Sequence, residues 1–173
     1  AIIVEAVRRY GILRFECTLM EIQKIAWFIE RFGYDTEVAE KLNLNFSANK
    51  FGPYAHDLTH LLDSLDGSYL HCDKRIADAT PFDIIWVDED RAQKAQLYLN
   101  SRENTNFRAA LDSVGCLIDG FESPLGMELL ASIDWLICKE GVAPNIDDIK
   151  EALGRWPGGV KAGQRKLRMF NDE

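Results

Sequence analysis

The sequence has no apolar run of about 18 residues, the length that a membrane-spanning helix needs. Arg8 and Arg9 follow the N-terminus too closely for the apolar stretch of a signal peptide. The sequence also has no Gly-rich phosphate loop, no Gly-x-Ser-x-Gly and no His-Glu-x-x-His. We therefore expect a cytoplasmic protein without a membrane partner, and no motif points to a nucleotide hydrolase, a serine hydrolase or a zinc protease.

Cysteine is scarce and scattered. Cys17, Cys72, Cys116 and Cys138 form no Cys-x-x-Cys pair, which favours reduced, buried thiols in the cytosol over a disulfide scaffold. The chain of 173 residues fits a single domain, and 47% hydrophobic residues are enough for a sizeable core. Because the sequence begins with Ala1 and not with Met, we expect a fragment of a longer protein.

Basic residues are few in the middle of the chain. Residues 51–148 contain 18 acidic and seven basic side chains, whereas residues 149–173 contain three acidic and six basic ones. An acidic body repels phosphate backbones, so direct binding of DNA or RNA is disfavoured. The negative charge favours either a partner with a basic groove or no more than solubility.

The hydrophobic pattern predicts a mainly α fold, a single compact helical domain with a small β-hairpin or short extended segment in the middle. Thr18 and Glu21 form a capping box, and an apolar face follows it as far as Gly33. Further helices are expected at about residues 3–15, 37–42, 53–66, 88–99, 105–117, 124–140, 146–153 and 160–170. Residues 43–49 are expected to form an extended loop, and Pro53 is expected in the first turn of a helix. Residues 68–72 and 84–87 are strand candidates that pair with each other.

Two features indicate possible chemistry. His56 and His60 share a helix face, and with Asp73 they would suit a metal-dependent hydrolase; surface histidines are the simpler interpretation. Phe51 and Tyr54 flank a Gly-Pro turn, which is typical either of a structural turn or of an aromatic recognition surface. We expect no catalytic residue, no cofactor and no metal.

Five segments in a fixed order resemble a known family. These are the helix at residues 22–28 with Lys24, the turn at 50–55, residues 65–70, residues 120–130 followed by Trp135, and Trp156 with the basic residues 165–170. Together they resemble the C-terminal domain of the DarG antitoxins, over about residues 18–170. The first half is also similar to the wider group of Panacea-like helical antitoxin domains.

The resemblance implies a function. In that family the toxin, DarT, is an NAD-dependent ADP-ribosyltransferase that modifies single-stranded DNA, and an N-terminal macrodomain of DarG removes the mark. The resemblance therefore implies that residues 1–173 are one toxin-neutralising domain without the macrodomain. It would not be an enzyme, and it would inhibit a DarT-like toxin by mimicking DNA in the toxin's DNA-binding cleft.

The candidate partner-binding residues combine acidic groups, which would stand in for phosphates, with aromatic and polar groups, which would stand in for bases. They are Asn49, Lys50, Phe51, Tyr54, Asp57, Asp66, Ser68, Tyr69, His71 and Asp73. Ser68 stands where the family tends to have His, which affects the contacts of that loop. Two alternatives stay open: a nucleic-acid-binding module that uses the basic C-terminal helix with Lys161, Arg165, Lys166 and Arg168, and an interaction domain with another partner.

Overall fold

The computed structural model describes residues 1–12 and 16–170, most of which lie in α-helices. The helices are α1 (Ile2–Ile12), α2 (Leu19–Phe32), α3 (Glu37–Leu42), α4 (His56–Leu65), α5 (Glu89–Leu99), α6 (Thr105–Ile118), α7 (Pro124–Cys138), α8 (Ile146–Gly154) and α9 (Val160–Met169). The strands are β1 (Phe46–Asn49), β2 (Gly52–Ala55), β3 (Leu70–His71) and β4 (Trp86–Val87). The prediction of a mainly α domain with small β elements is confirmed.

Helix α2 is the centre of the core. The capping box predicted at its start is present: the Thr18 hydroxyl accepts from the Glu21 amide, and the Glu21 carboxylate accepts from the Thr18 amide at 2.8 Å. Such a cap stabilises a helix by about 1 kcal/mol. The helix packs against α1, α6, α7 and β2, and Phe28 and Ile29 are completely buried. Helix α2 therefore fixes the positions of the elements around it.

The first half contains a hairpin where the sequence pattern indicates a loop and a helix start. Strands β1 and β2 pair antiparallel, with Ala48 opposite Pro53, so the predictions of an extended loop at 43–49 and of Pro53 in a helix are wrong in part. Helix α4 begins only at His56. The reason is tertiary: the Gln23 side-chain amide of α2 bonds both the amide and the carbonyl of Ala55, and this holds the segment extended.

The second predicted pairing is confirmed. Leu70 lies opposite Val87 and His71 opposite Trp86 in an antiparallel pair of two residues on each side. Ile84 does not join this pair but forms an isolated bridge to Thr18, at the start of α2. Two strands this short are marginal by themselves, and they are stabilised here by packing on helices.

The helices of the second half begin close to the predicted positions. The Asp88, Ser123 and Asn145 side chains accept backbone amides at the starts of α5, α7 and α8. Helix α7 ends at Cys138, slightly before the expected Glu140. Asn104 precedes α6, but its side chain donates to the Tyr98 carbonyl instead of capping that helix.

Helix α1 begins near the predicted position and is described as far as Ile12, so the expected end at Phe15 lies outside the described residues. No helix among the described residues is long and apolar enough to cross a membrane. All four cysteines are free thiols, but the expectation that they are buried holds only for Cys17, because Cys116 and Cys138 are exposed.

Candidate functional site

The turn between β1 and β2 builds one wall of a cavity that is open to solvent on one side. The Asn49 side chain accepts from the Lys50 amide at 2.6 Å, and the Asn49 carbonyl accepts from the Trp156 indole at 2.8 Å. Gly52 closes the turn with φ +97°, and a Cβ there would lie 3.1 Å from the Ser132 hydroxyl oxygen. Only glycine fits this backbone without strain, so the turn has one defined conformation against α7.

The cavity has a volume of about 210 Å³, and we call it the Phe51 cavity. Its walls come from the start of α2, from the β1–β2 turn and from Pro81. The lining residues are Leu19, Met20, Gln23, Lys24, Asn49, Lys50, Phe51, Gly52, Tyr54 and Pro81. The charged residues in this list are Lys24, which is buried, and Lys50, which is exposed.

The Phe51 ring, which lines the cavity, contacts one aromatic ring and two cations. The Phe82 ring meets it edge to face at 5.4 Å between centroids. The Lys50 ammonium lies 4.8 Å from its centroid, and the Arg165 guanidinium carbon lies 4.9 Å from it. Cations over a ring face are attracted by the ring quadrupole. These contacts bring α9 and the β1–β2 turn together at one place.

A buried ionic cluster lies under the same turn. The Glu128 carboxylate accepts from the Lys166 ammonium at 2.7 Å and from Arg165, and Lys166 also donates to the Ser132 hydroxyl. Lys24, 1% exposed, donates to the Pro53 carbonyl at 2.8 Å. The pKa of Lys24 is lowered to about 7, mainly by burial; the Glu128 carboxylate opposes this shift, and the Lys166 ammonium adds to it. Burial also lowers the pKa of Lys166.

The structure separates the ten predicted partner-binding residues into two groups. Asn49, Lys50, Phe51 and Tyr54 line the Phe51 cavity. The other six, Asp57, Asp66, Ser68, Tyr69, His71 and Asp73, follow along α4 and the segment after it, outside the cavity lining. The sequence-based prediction therefore identified one wall of the cavity. It wrongly grouped that wall with six residues that do not line the cavity.

Several residues of the second group have structural contacts. The Asp66 carboxylate accepts from the Ile76 amide at 2.9 Å, and the Ser68 hydroxyl donates to the Leu65 carbonyl. The Tyr69 side chain packs against the core, and the His71 ring stacks on Trp86 at 6.2 Å. Exposed carboxylates in this group belong to Asp57, which accepts from the Asn45 amide, and to Asp73.

The opposite wall of the cavity was missed. It is lined by Leu19, Met20, Gln23, Lys24 and Pro81, none of which is among the ten predicted partner-binding residues. A signal was present in the sequence, because Gln23 and Lys24 are polar residues in the middle of the apolar face of α2. Buried polar groups need partners, and here these partners are the backbone groups of β2.

The metal-dependent alternative lacks a ligand set. The His56 and His60 rings contact each other at 4.7 Å, as expected for one helix face. Within residues 1–12 and 16–170, no three His, Cys, Asp or Glu side chains are placed to hold one metal ion.

A second, larger groove lies between α7, α8 and the end of α9. Its volume is about 620 Å³, and it is lined mainly by aliphatic side chains such as Leu129, Ile133 and Ile149. Lys150 is its one charged lining residue. The groove therefore offers little for the recognition of a charged ligand, in contrast to the Phe51 cavity.

No protein-family model matches the chain. The chain is 31% identical over 147 residues to a DNA ADP-ribosyl glycohydrolase of Thermus aquaticus, and the match covers 85% of the chain and 38% of the relative. It is 28% identical over 186 aligned positions to a DNA ADP-ribosyl glycohydrolase of Mycobacterium tuberculosis, with 100% of the chain and 49% of the relative covered. The chain resembles one portion of the DNA ADP-ribosyl glycohydrolases. It spans less than half the length of these curated relatives.

These relatives change the functional interpretation. They support the resemblance to the DarG family, but they are named for an enzymatic activity on DNA. The names of these relatives contradict two expectations: that the chain is not an enzyme, and that it inhibits a toxin by occupying the toxin's DNA-binding cleft.

Proposed function

We propose that this chain takes part in the removal of ADP-ribose from DNA, the activity for which its relatives are named. The observation that supports the proposal most is the extent of the match, which covers 85% of the chain in one relative and all of it in another. Because the chain spans less than half the length of each relative, we propose that it contributes to this activity and do not assign the whole activity to it.

The geometry favours a role in binding the substrate. ADP-ribosylated DNA has phosphates and aromatic bases on both sides of the bond that is broken. Lysine and arginine side chains attract phosphates, and aromatic rings stack on bases. The Phe51 cavity offers both groups: Lys50 and Phe51 line it, and Arg165 lies over the Phe51 ring.

The test compares a modified with an unmodified strand. We expect the purified chain either to release ADP-ribose from an ADP-ribosylated single-stranded oligonucleotide or to bind that strand at least tenfold more tightly than its unmodified form. Chromatography of the reaction measures release, and fluorescence anisotropy measures binding. If the chain releases nothing and binds both strands equally or not at all, the proposal is wrong.

We also propose a protein partner, the DNA ADP-ribosyltransferase that attaches the mark. The acidic middle of the chain, with a net charge of −11 over residues 51–148, supports an association with a basic surface. The contact region proposed for it consists of the ten candidate residues, among which Asp57 and Asp73 present exposed carboxylates. Asp66 is less suitable as a probe, because its carboxylate bonds the Ile76 amide.

Charge reversal at the exposed positions tests this partner. We expect Asp57→Lys with Asp73→Lys to weaken binding to the transferase about tenfold, mainly through a slower association, because two attractive charges become repulsive. The matched control, Asp119→Lys with Asp147→Lys, makes the same change in net charge at exposed positions elsewhere. Surface plasmon resonance at physiological salt measures both. Equal affinity of the two double variants would exclude the contact region.

A further inference from the structure

We propose that His56 and His60 chelate one divalent transition-metal ion of the kind that prefers imidazole, such as Ni²⁺ or Zn²⁺, on the exposed face of α4. This inference goes beyond the proposed function and does not depend on it. It also departs from the sequence-based expectation of a protein without a metal. Both histidines are exposed, so the ion reaches the site directly from solution.

The distance between the two rings fits a shared ion. Residues four apart are neighbours on one helix face, and the His56 and His60 ring centroids are 4.7 Å apart. An ion about 2.0–2.1 Å from each ligating nitrogen lies about 3.2 Å from each ring centre, so two imidazoles bound at roughly a right angle have centres about 4.5 Å apart. The helix therefore already holds the rings at the separation that chelation needs, and side-chain rotation at these exposed residues directs the nitrogens to the ion.

The nitrogens of both rings are available as ligands. Within the described part of the chain, His56 and His60 contact each other and have no hydrogen bond or ion pair. The third histidine, His71, is engaged elsewhere, since its ring stacks on Trp86 and lies 3.7 Å from the Asp88 carboxylate. Imidazole is a preferred ligand of Zn²⁺, Ni²⁺ and Cu²⁺. The pair on α4 thus offers two free ligands of one chemical type.

The number of ligands determines the kind of site. No three His, Cys, Asp or Glu side chains among residues 1–12 and 16–170 are placed to hold one ion, so water completes the coordination. Catalytic zinc centres have three protein ligands, whereas a pair of imidazoles holds an ion that exchanges with the solvent. The net charge of −11 over residues 51–148 raises the local concentration of cations.

The ion would bridge the start of α4, where the chain leaves β2. Helix α4 has no side-chain hydrogen bond at its N-cap, Ala55. A metal bridge from His56 to His60 joins the first helical turn to the second, and so adds a constraint at an end that lacks a cap. The helix dipole disfavours a cation at this end, and the Asp57 carboxylate in the same turn offsets that effect. We therefore expect the ion to protect the start of α4 against local opening.

Isothermal titration calorimetry of the purified chain, without a histidine tag, measures the affinity for Ni²⁺, Co²⁺ and Mg²⁺. We expect one Ni²⁺ per chain, weaker binding of Co²⁺ and none of Mg²⁺, which prefers oxygen ligands. His56→Gln and His60→Gln are each expected to weaken Ni²⁺ binding at least tenfold, because the second ligand no longer binds intramolecularly. The matched control His71→Gln also removes one imidazole and is expected to bind Ni²⁺ as the unchanged chain does.

Hydrogen exchange followed by mass spectrometry locates the ion. Saturating Ni²⁺ is expected to slow the exchange of the backbone amides at the start of α4 in the unchanged chain and not in His60→Gln. Three results would overturn the site: no Ni²⁺ binding at millimolar concentration, equal affinity of the unchanged chain and both single variants, or an equal loss in His71→Gln. Because these titrations contain no DNA, their outcome is separate from that of the proposed function.

Discussion

Replacement of Glu128 by Gln is expected to destabilise the fold by roughly 3–5 kcal/mol, the usual cost of breaking a buried ion pair by removal of one partner. Glu128 is 1% exposed at its side chain, and Lys166, its partner at 2.7 Å, is completely buried. Without the carboxylate, the buried Lys166 and the nearby Lys24 have no negative charge to offset their desolvation. Because the cluster joins α7 to α9, the loss affects the packing of both helices.

Urea denaturation at pH 7 measures this effect. The control Glu151→Gln removes a carboxylate from an exposed pair with Arg155, and we expect a change below about 0.5 kcal/mol. The double variant Glu128→Leu with Lys166→Met replaces the buried pair by apolar groups, and it is expected to recover most of the stability. If Glu128→Gln costs no more than Glu151→Gln does, the cluster does not stabilise the fold.

The stability of the protein is expected to rise as the pH increases from 7 to 9. Lys24 has a pKa of about 7 in the folded chain and 10.5 as the unperturbed value, so in this range the unfolded state binds the extra proton. Stability increases with pH wherever the unfolded state binds more protons. The contribution of Lys24 to this rise is about 2 kcal/mol. The range ends at pH 9, because burial raises the pKa of the Cys17 thiol above 9.0 and this effect has the opposite sign.

The variant Lys24→Met isolates this contribution. Met keeps most of the side-chain length and cannot be protonated, so we expect the rise in unfolding free energy between pH 7 and 9 to be smaller by about 2 kcal/mol than in the unchanged chain. Lys150→Met, at an exposed position, provides the matched control. Identical pH profiles for Lys24→Met and the unchanged chain would show that Lys24 keeps an ordinary pKa in the folded state.

Most of the fold is determined by local signals. The caps at Thr18, Asp88, Ser123 and Asn145 predict the starts of α2, α5, α7 and α8 correctly. The hairpin of β1 and β2 was missed because its stability does not come from its own residues. Gln23, which is 32 residues away from Ala55 in the chain, bonds the backbone of β2, and no local pattern reports such a contact.

Only those site residues that lie close together in the sequence could be predicted. Asn49, Phe51 and Tyr54 were recognised because two aromatics beside a Gly-Pro turn are distinctive. Arg165 is more than 100 residues away in sequence, and its approach to Phe51 depends on the packing of α9 on α7 through Glu128. The net charge of −8 also gave no indication that Lys24 and Lys50 line the same cavity.

The central claim, a share in the removal of ADP-ribose from DNA, is tested most directly with one oligonucleotide prepared with and without a single ADP-ribose group. The account predicts that the purified chain releases ADP-ribose from the modified strand or binds it at least tenfold more tightly than the unmodified one. It also predicts that Phe51→Leu reduces this discrimination while Phe121→Leu does not. Equal treatment of the two strands by the unchanged chain, without release, would contradict the account.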